Sequence, residues 1–189
     1  MMPAMRQVRG VLFVDYVRML RSQKHVDWTE HLAGDDLPYL QTQIDPAGWY
    51  PMATFERMGN AILSEVAHGD LFAVQLWGRY SAAQLRKANP MLLAPGDPPE
   101  TLSRFCVMRE TFFDFHALEV PMLHEDEAHI VMRYHMGVLA EQAASYQTMG
   151  FFEGLLELAG AKDVRAKFQH TSWDGDARTL AVLAWKPPG

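Results

Sequence analysis

The chain is short of the residues that most often announce chemistry. It has one cysteine, Cys106, in 189 residues, which excludes an internal disulfide and a thiolate metal cluster. Positive charge is also scarce. Lys and Arg total 17 against 23 Asp and Glu, for a net charge of -6 at pH 7, and this argues against a nucleic-acid partner. Long apolar runs are missing too. No stretch approaches a membrane span, and Val11-Leu12-Phe13-Val14 is too short for a signal-peptide core. The expected compartment is the cytoplasm. There is no Gly-rich phosphate loop, Ser-centred elbow or paired-His zinc-protease motif, so the expected role is non-enzymatic.

What the chain does have is apolar substance. Hydrophobic residues make up 49%, enough for a real core. Its 12 Met and 10 Phe suit an adaptable interior. The most legible stretch runs from Ser145 to Trp185. Met149, Phe152, Leu156 and Ala159 recur at the steps of one helix face, and Phe151, Leu155 and Leu158 widen it. Gly150 and Gly154 leave a strip without side chains. Each costs about 1 kcal/mol against Ala in a helix, so something is expected to pack closely there. Glu153 and Glu157, four apart, read as a wet stripe. Gly160 sits where a left-handed cap belongs. Val164 to His170 then alternates as a half-buried strand. Asp174-Gly175 signals a turn, and Thr179 to Trp185 returns as a more central strand.

Upstream, the pattern is helical. Phe13, Val14, Val17 and Leu20 follow Gly10. Asp27 and Glu30 form an approximate capping box. Tyr50-Pro51 opens a helix lined by Phe55, Met58, Ile62 and Val66, and Gly69 stops it. The next helix holds Phe72, Leu76, Trp77 and Tyr80. Asn89 to Pro99 breaks it, and Glu100 to Arg109 makes one more, with Leu102, Phe105 and Cys106 inward. At Thr111 the character changes. Phe113, Phe115 and Ala117 read as a strand, Pro121 to Glu127 as a polar connection, and Ala128 to Met136 as the cleanest strand of the chain. The expected fold is α+β over residues 1–189. A helical lobe (1–110) packs on a small antiparallel sheet with an inserted long helix (111–189), in the order strand, strand, helix, strand, strand.

This order, with Gly10-Val11-Leu12-Phe13, Gly150 to Glu157 with Ala159-Gly160, and a last strand ending in Trp185, resembles a known fold. Haem nitric-oxide/oxygen-binding (H-NOX) domains, vinyl-reductase-type ligand-binding domains and the small subunits of the TRAPP vesicle-tethering complexes share it. More closely, the chain resembles an uncharacterised bacterial family abundant as paralogues in myxobacteria. The H-NOX resemblance implies a haem carried on a His ahead of the sheet and on a Tyr-x-Ser-x-Arg pattern. Here Glu100 to Arg109 holds no His, and Tyr134-His135-Met136-Gly137-Val138 lacks both Ser and Arg. No cofactor is therefore expected, haem included.

The resemblance implies a ligand-sensing or regulatory domain. Its pocket would lie between the helical lobe and the sheet, lined by Trp77, Tyr80, Phe105, Phe113, Phe115, Met132 and Tyr134. A small apolar molecule is the expected ligand. A protein adaptor or scaffold is the alternative, a haem gas sensor the weaker one. A homodimer or other protein partner is also expected. Of eight histidines, His116, His129 and His135, with Asp114, fall on one polar strand face. A solvated sheet surface accounts for them better than a metal, because tightly spaced ligand pairs are missing.

Overall fold

The computed structural model describes residues 4–189. The chain folds as two compact units. One takes the described residues up to Asp70 together with Glu110–His116, the other Leu71–Arg109 and Ala117–Gly189.

The first unit is built on a short ribbon and two helices. Strand β1 (Gln7–Arg9) pairs antiparallel with β2 (Trp49–Pro51). Helix α1 (Gly10–Ser22) leaves β1, and α2 (Met52–Glu65) leaves β2. Gly10 opens α1 because a Cβ there would lie 1.9 Å from the Asp45 carbonyl oxygen. The apolar positions read from sequence do face inward. Phe13, Val17 and Leu20 on α1 are buried with Phe55, Met58 and Ile62 on α2. Phe13 stacks on Tyr50 at 4.5 Å and Tyr16 on Phe55 at 4.1 Å. Asp27 caps a single 3-10 turn, Trp28–Glu30, by accepting from the Thr29 N–H rather than by a full capping box. His68 and Gly69 end the α2 region in left-handed backbone, which Gly adopts without strain.

The expected strand at Phe113, Phe115 and Ala117 does not form. Only an isolated bridge joins Phe113 to Val8. The Asp114 carboxylate takes the Gln7 N–H at 2.7 Å, so that donor is withheld from a ladder.

In the second unit, α3 (Leu71–Ala88) and α4 (Pro98–Met108) precede β3 (Leu118–Leu123), β4 (Glu127–Met132), α5 (Val138–Leu158), β5 (Lys162–His170) and β6 (Thr179–Lys186). The sheet order is β3-β4-β6-β5, antiparallel throughout, with β6 inside. The second half of β3, residues 121–123, falls where a polar connection was expected. Pro121 lies within a register shift between Glu119 and Met122, and β3 is an edge strand, where a residue without an N–H is tolerated.

Register sets Ala128, Ile130 and Met132 opposite Leu183, Ala181 and Thr179. All six are sealed from solvent. Each large apolar side chain among them contributes about 1.5–3 kcal/mol by leaving water. Helix α5 is buried on more than one side, as its nearly all-round apolar sequence requires. Its end is a Schellman cap. Gly160 (φ 102°) donates to the Glu157 carbonyl and Ala161 to that of Leu156, both at 3.0 Å.

The glycine strip packs as expected. A Cβ on Gly150 would sit 1.9 Å from the Gln75 carbonyl oxygen, and one on Gly78 1.9 Å from that of Gln147. Helices α3 and α5 therefore meet backbone to backbone, and only glycine at these two positions permits it.

Candidate functional site

The seven residues proposed as pocket lining belong to both units, and each is placed within its own. In the first, Phe113 is buried and Phe115 half-buried, their rings edge to face at 5.5 Å. In the second, Met132 is sealed on the inner face of β4, and Phe105 on α4 meets Phe152 of α5 edge-on at 4.9 Å. Trp77 is half-buried. Tyr80 departs from expectation, being 68% exposed. The inward face of α3 is Val74, Gly78, Ala82 and Leu85, because small residues are what the contact with α5 admits.

Tyr134 is the best-tied member of the set. It is buried just beyond β4. Its backbone N–H donates to Glu141 Oε1 at 2.8 Å, and the Met136 N–H donates to Oε2 at 3.0 Å. One buried carboxylate from the first turn of α5 thus pins the β4–α5 connection, with His135 between the two donors in left-handed backbone. The Tyr134 hydroxyl also bonds Thr148 Oγ1. Because Thr148 gives its own proton to the Ala144 carbonyl at 2.8 Å, the tyrosine is the donor. Glu141, Ser145 and Thr148 share one helix face. Ser145 Oγ is fully buried there without a hydrogen-bond partner. Sequence reading passed over these three residues. Their i, i+4, i+7 spacing on a long helix was the available signal.

A second polar cluster lies between α3 and α5. Glu153, taken from sequence as part of a wet stripe, is buried. It accepts from Gln75 Nε2 at 2.6 Å and pairs with Arg79 Nη1 at 3.2 Å, while Arg79 also pairs with Glu157. Burial pushes the Glu153 carboxyl above the usual range despite Gln75 and Arg79. Cys106 is half-buried, and burial pushes its thiol up, so it is not poised as a nucleophile.

A metal and a histidine-held haem each call for particular donors among the described residues. Among the described residues no group of three or more His, Cys, Asp and Glu could hold a metal ion. His129 bonds Glu127 at 2.9 Å. The H-NOX resemblance implies a haem held on a His ahead of the sheet. All eight histidines are described; His31 and His129 are half-buried, each beside a glutamate, and the other six are exposed. Helix α4, just ahead of the sheet, contains none. The histidines present do not fit a haem held in that way.

No family model and no curated protein sequence matches the chain. Solved structures do. The Fe(II) unliganded H-NOX protein from K. algicida is 10% identical with a TM-score of 0.65, covering 94% of this chain and 96% of its own. The Fe(II)NO form of the H-NOX protein from S. oneidensis is 9% identical with a TM-score of 0.65, covering 94% and 99%. An oxygen-binding H-NOX domain related to soluble guanylate cyclases is 14% identical with a TM-score of 0.61, covering 95% and 96%. At these identities the likeness speaks for architecture alone, and the architecture is clear: the chain has the fold of H-NOX domains.

Proposed function

We propose that the chain is a non-enzymatic, ligand-sensing regulatory domain. The observation that carries this reading is end-to-end correspondence with H-NOX domains, which spans nearly all of both chains. Two buried features of the second unit support it. The Tyr134 hydroxyl and the unpartnered Ser145 hydroxyl are polar groups set in an apolar interior, the composition by which small molecules are oriented.

Among ligands, fold kinship favours a haem gas sensor over an unspecified apolar molecule, since the neighbours are described as Fe(II), NO and oxygen complexes. The helix ahead of the sheet weighs the other way, because α4 contains no His. Titration with haemin separates the two. The expected result is no saturable Soret shift, with native mass spectrometry of a fresh preparation showing retained small-molecule mass. A one-to-one Soret shift would establish the haem sensor instead. Neither signal would leave a protein scaffold as the remaining reading. The closer kinship with the myxobacterial paralogues and a place in the cytoplasm belong to the same proposal. No helix among the described residues is long and apolar enough to cross a membrane.

A further inference from the structure

The four-stranded sheet of the second unit has two edges, and they are guarded differently. At β3 the edge carries Pro121, which has no N–H to offer, and a register shift between Glu119 and Met122. Both devices discourage a further strand. Strand β5 is longer, nine residues, and holds no proline. Its register shifts lie toward its two ends, between Lys162 and Arg165 and between Phe168 and His170. From Arg165 to Phe168 the pairing with β6 runs unbroken. Among the described residues no strand pairs with the other side of β5. Such an edge presents a row of backbone donors and acceptors to an extended chain.

Side chains on the two faces select which chain. Arg165 and Lys167 are exposed on one face, with Lys162 exposed at the start of the strand. The one carboxylate of β5, Asp163, is already bonded to Lys186 at 2.6 Å. On the other face Val164, Ala166 and Phe168 are half-buried, and the Phe168 ring meets Tyr146 of α5 at 5.0 Å and Trp173 at 5.1 Å. We propose that β5 is the docking edge for an extended acidic segment of a partner protein, which joins the sheet as a fifth strand. The pattern of that segment follows from the two-residue period of a strand. An apolar side chain falls opposite Ala166, whose small size leaves room between Val164 and Phe168. Asp or Glu on either side of it falls opposite Arg165 and Lys167, where opposite charges across strands attract. The same rule disfavours a second copy. Paired antiparallel about Ala166, each chain would set its Arg165 against the Lys167 of the other, and like charges directly opposite repel.

Fluorescence anisotropy of a labelled Thr-Glu-Val-Glu-Thr peptide, titrated with the full chain at low salt, tests this. Weak, saturable binding is expected, with amide exchange slowed over residues 165–168 and unchanged over β3. Lys167→Glu should weaken binding roughly fivefold, as trading an attractive cross-strand pair for a repulsive one does. A Thr-Lys-Val-Lys-Thr peptide should bind the double variant Arg165→Glu, Lys167→Glu better than it binds wild type, a reversal that a misfolded protein could not produce. Methylating the backbone nitrogens of the acidic peptide keeps its charges and removes its strand hydrogen bonds, and should abolish binding. No binding at submillimolar protein overturns the proposal, as does binding indifferent to Lys167→Glu. Binding kept by the methylated peptide would reduce the edge to a cationic surface and overturn it too. Self-association of the wild type, lost in Lys167→Glu, would give the edge to a second copy and equally overturn it.

Discussion

Asp36 and Glu153 are both buried carboxylates, one in each unit, and their surroundings move them in opposite directions. Burial pushes both up. At Asp36 that push is outweighed by hydrogen bonds from Arg57, Thr54 and the Ala33 N–H, and the carboxyl is held below the usual range. Arg57 reaches it twice, at 2.6 and 2.7 Å, Thr54 at 2.8 Å and Ala33 at 2.9 Å. At Glu153 the help is thinner. Gln75 is its hydrogen-bond donor, one arm of Arg79 pairs with it as an ion, the other arm goes to Glu157, and the negative charge of Glu157 adds to the upward push. Donor count, rather than burial, decides which anion the fold welcomes. Thr54 and Arg57 are three apart on α2, so one helix face delivers most of the Asp36 cage.

The comparison breaks most severely if the α3–α5 seam that holds Glu153 is forced apart. Gly150→Ala puts a methyl 1.9 Å from a backbone oxygen. The expected loss is about 3 kcal/mol or more, at or above the upper end for overpacking, because a carbonyl cannot rotate away as a side chain would. Urea denaturation measures it, and an unchanged midpoint would mean the helices do not touch there. The next largest effect belongs to the Asp36 cage. Asp36→Asn should cost about 1–3 kcal/mol at neutral pH, in the lower half of that range because the Arg57 side chain is partly exposed and water screens the pair. A carboxyl with a depressed folded pKa stabilises fully above its unfolded value of about 3.9 and loses that stabilisation as pH falls through the folded value. The gap between wild type and variant should therefore close in acid. A gap constant with pH would mean that the Asp36 charge is not its source.

Why Asp36 and Glu153 were not both visible in the sequence has a physical answer. Local period is legible, and it placed α1, α2, α5, β5 and β6 through Phe13, Phe55, Phe152, Phe168 and Leu183. Partners distant in sequence are not. Glu153 four residues before Glu157 looks like a solvated stripe until Gln75 and Arg79 arrive from a helix 78 and 74 positions away. The same blindness misassigned α3. Trp77 and Tyr80 were expected on its inward face, yet the inside is Val74, Gly78 and Ala82, because a backbone contact selects for small size. Gly150 and Gly154 announced that contact from α5 without naming α3. Of the candidate site, burial of Phe105, Met132 and Tyr134 was legible from alternation and spacing. The Glu141 carboxylate that pins Tyr134 was not, since a charged residue in a first helical turn ordinarily serves the helix dipole.

The smallest effect sharpens the comparison furthest. Glu153→Gln keeps the size of the side chain and an acceptor for Gln75 but removes the charge that burial disfavours. Above its folded pKa the wild type carries an ionised, desolvated carboxylate, and there the variant should match it or exceed it by up to about 1 kcal/mol. The pH dependence has the opposite sign from that at Asp36. A folded pKa raised above the unfolded value of about 4.3 means the folded protein takes up its proton first as pH falls. Wild type then sheds its burial penalty through that window, with the full relief reached below the unfolded pKa. Any advantage of Glu153→Gln should accordingly vanish in acid. Arg79→Met is the companion measurement, because it leaves the carboxylate buried with Gln75 alone. It should destabilise more than Glu153→Gln at neutral pH, and the double variant should recover part of the loss, since the penalty lies in the stranded charge. If Glu153→Gln alone proved the more damaging, Arg79 and Gln75 would be holding Glu153 as securely as Arg57 and Thr54 hold Asp36, and the contrast between the two units would collapse.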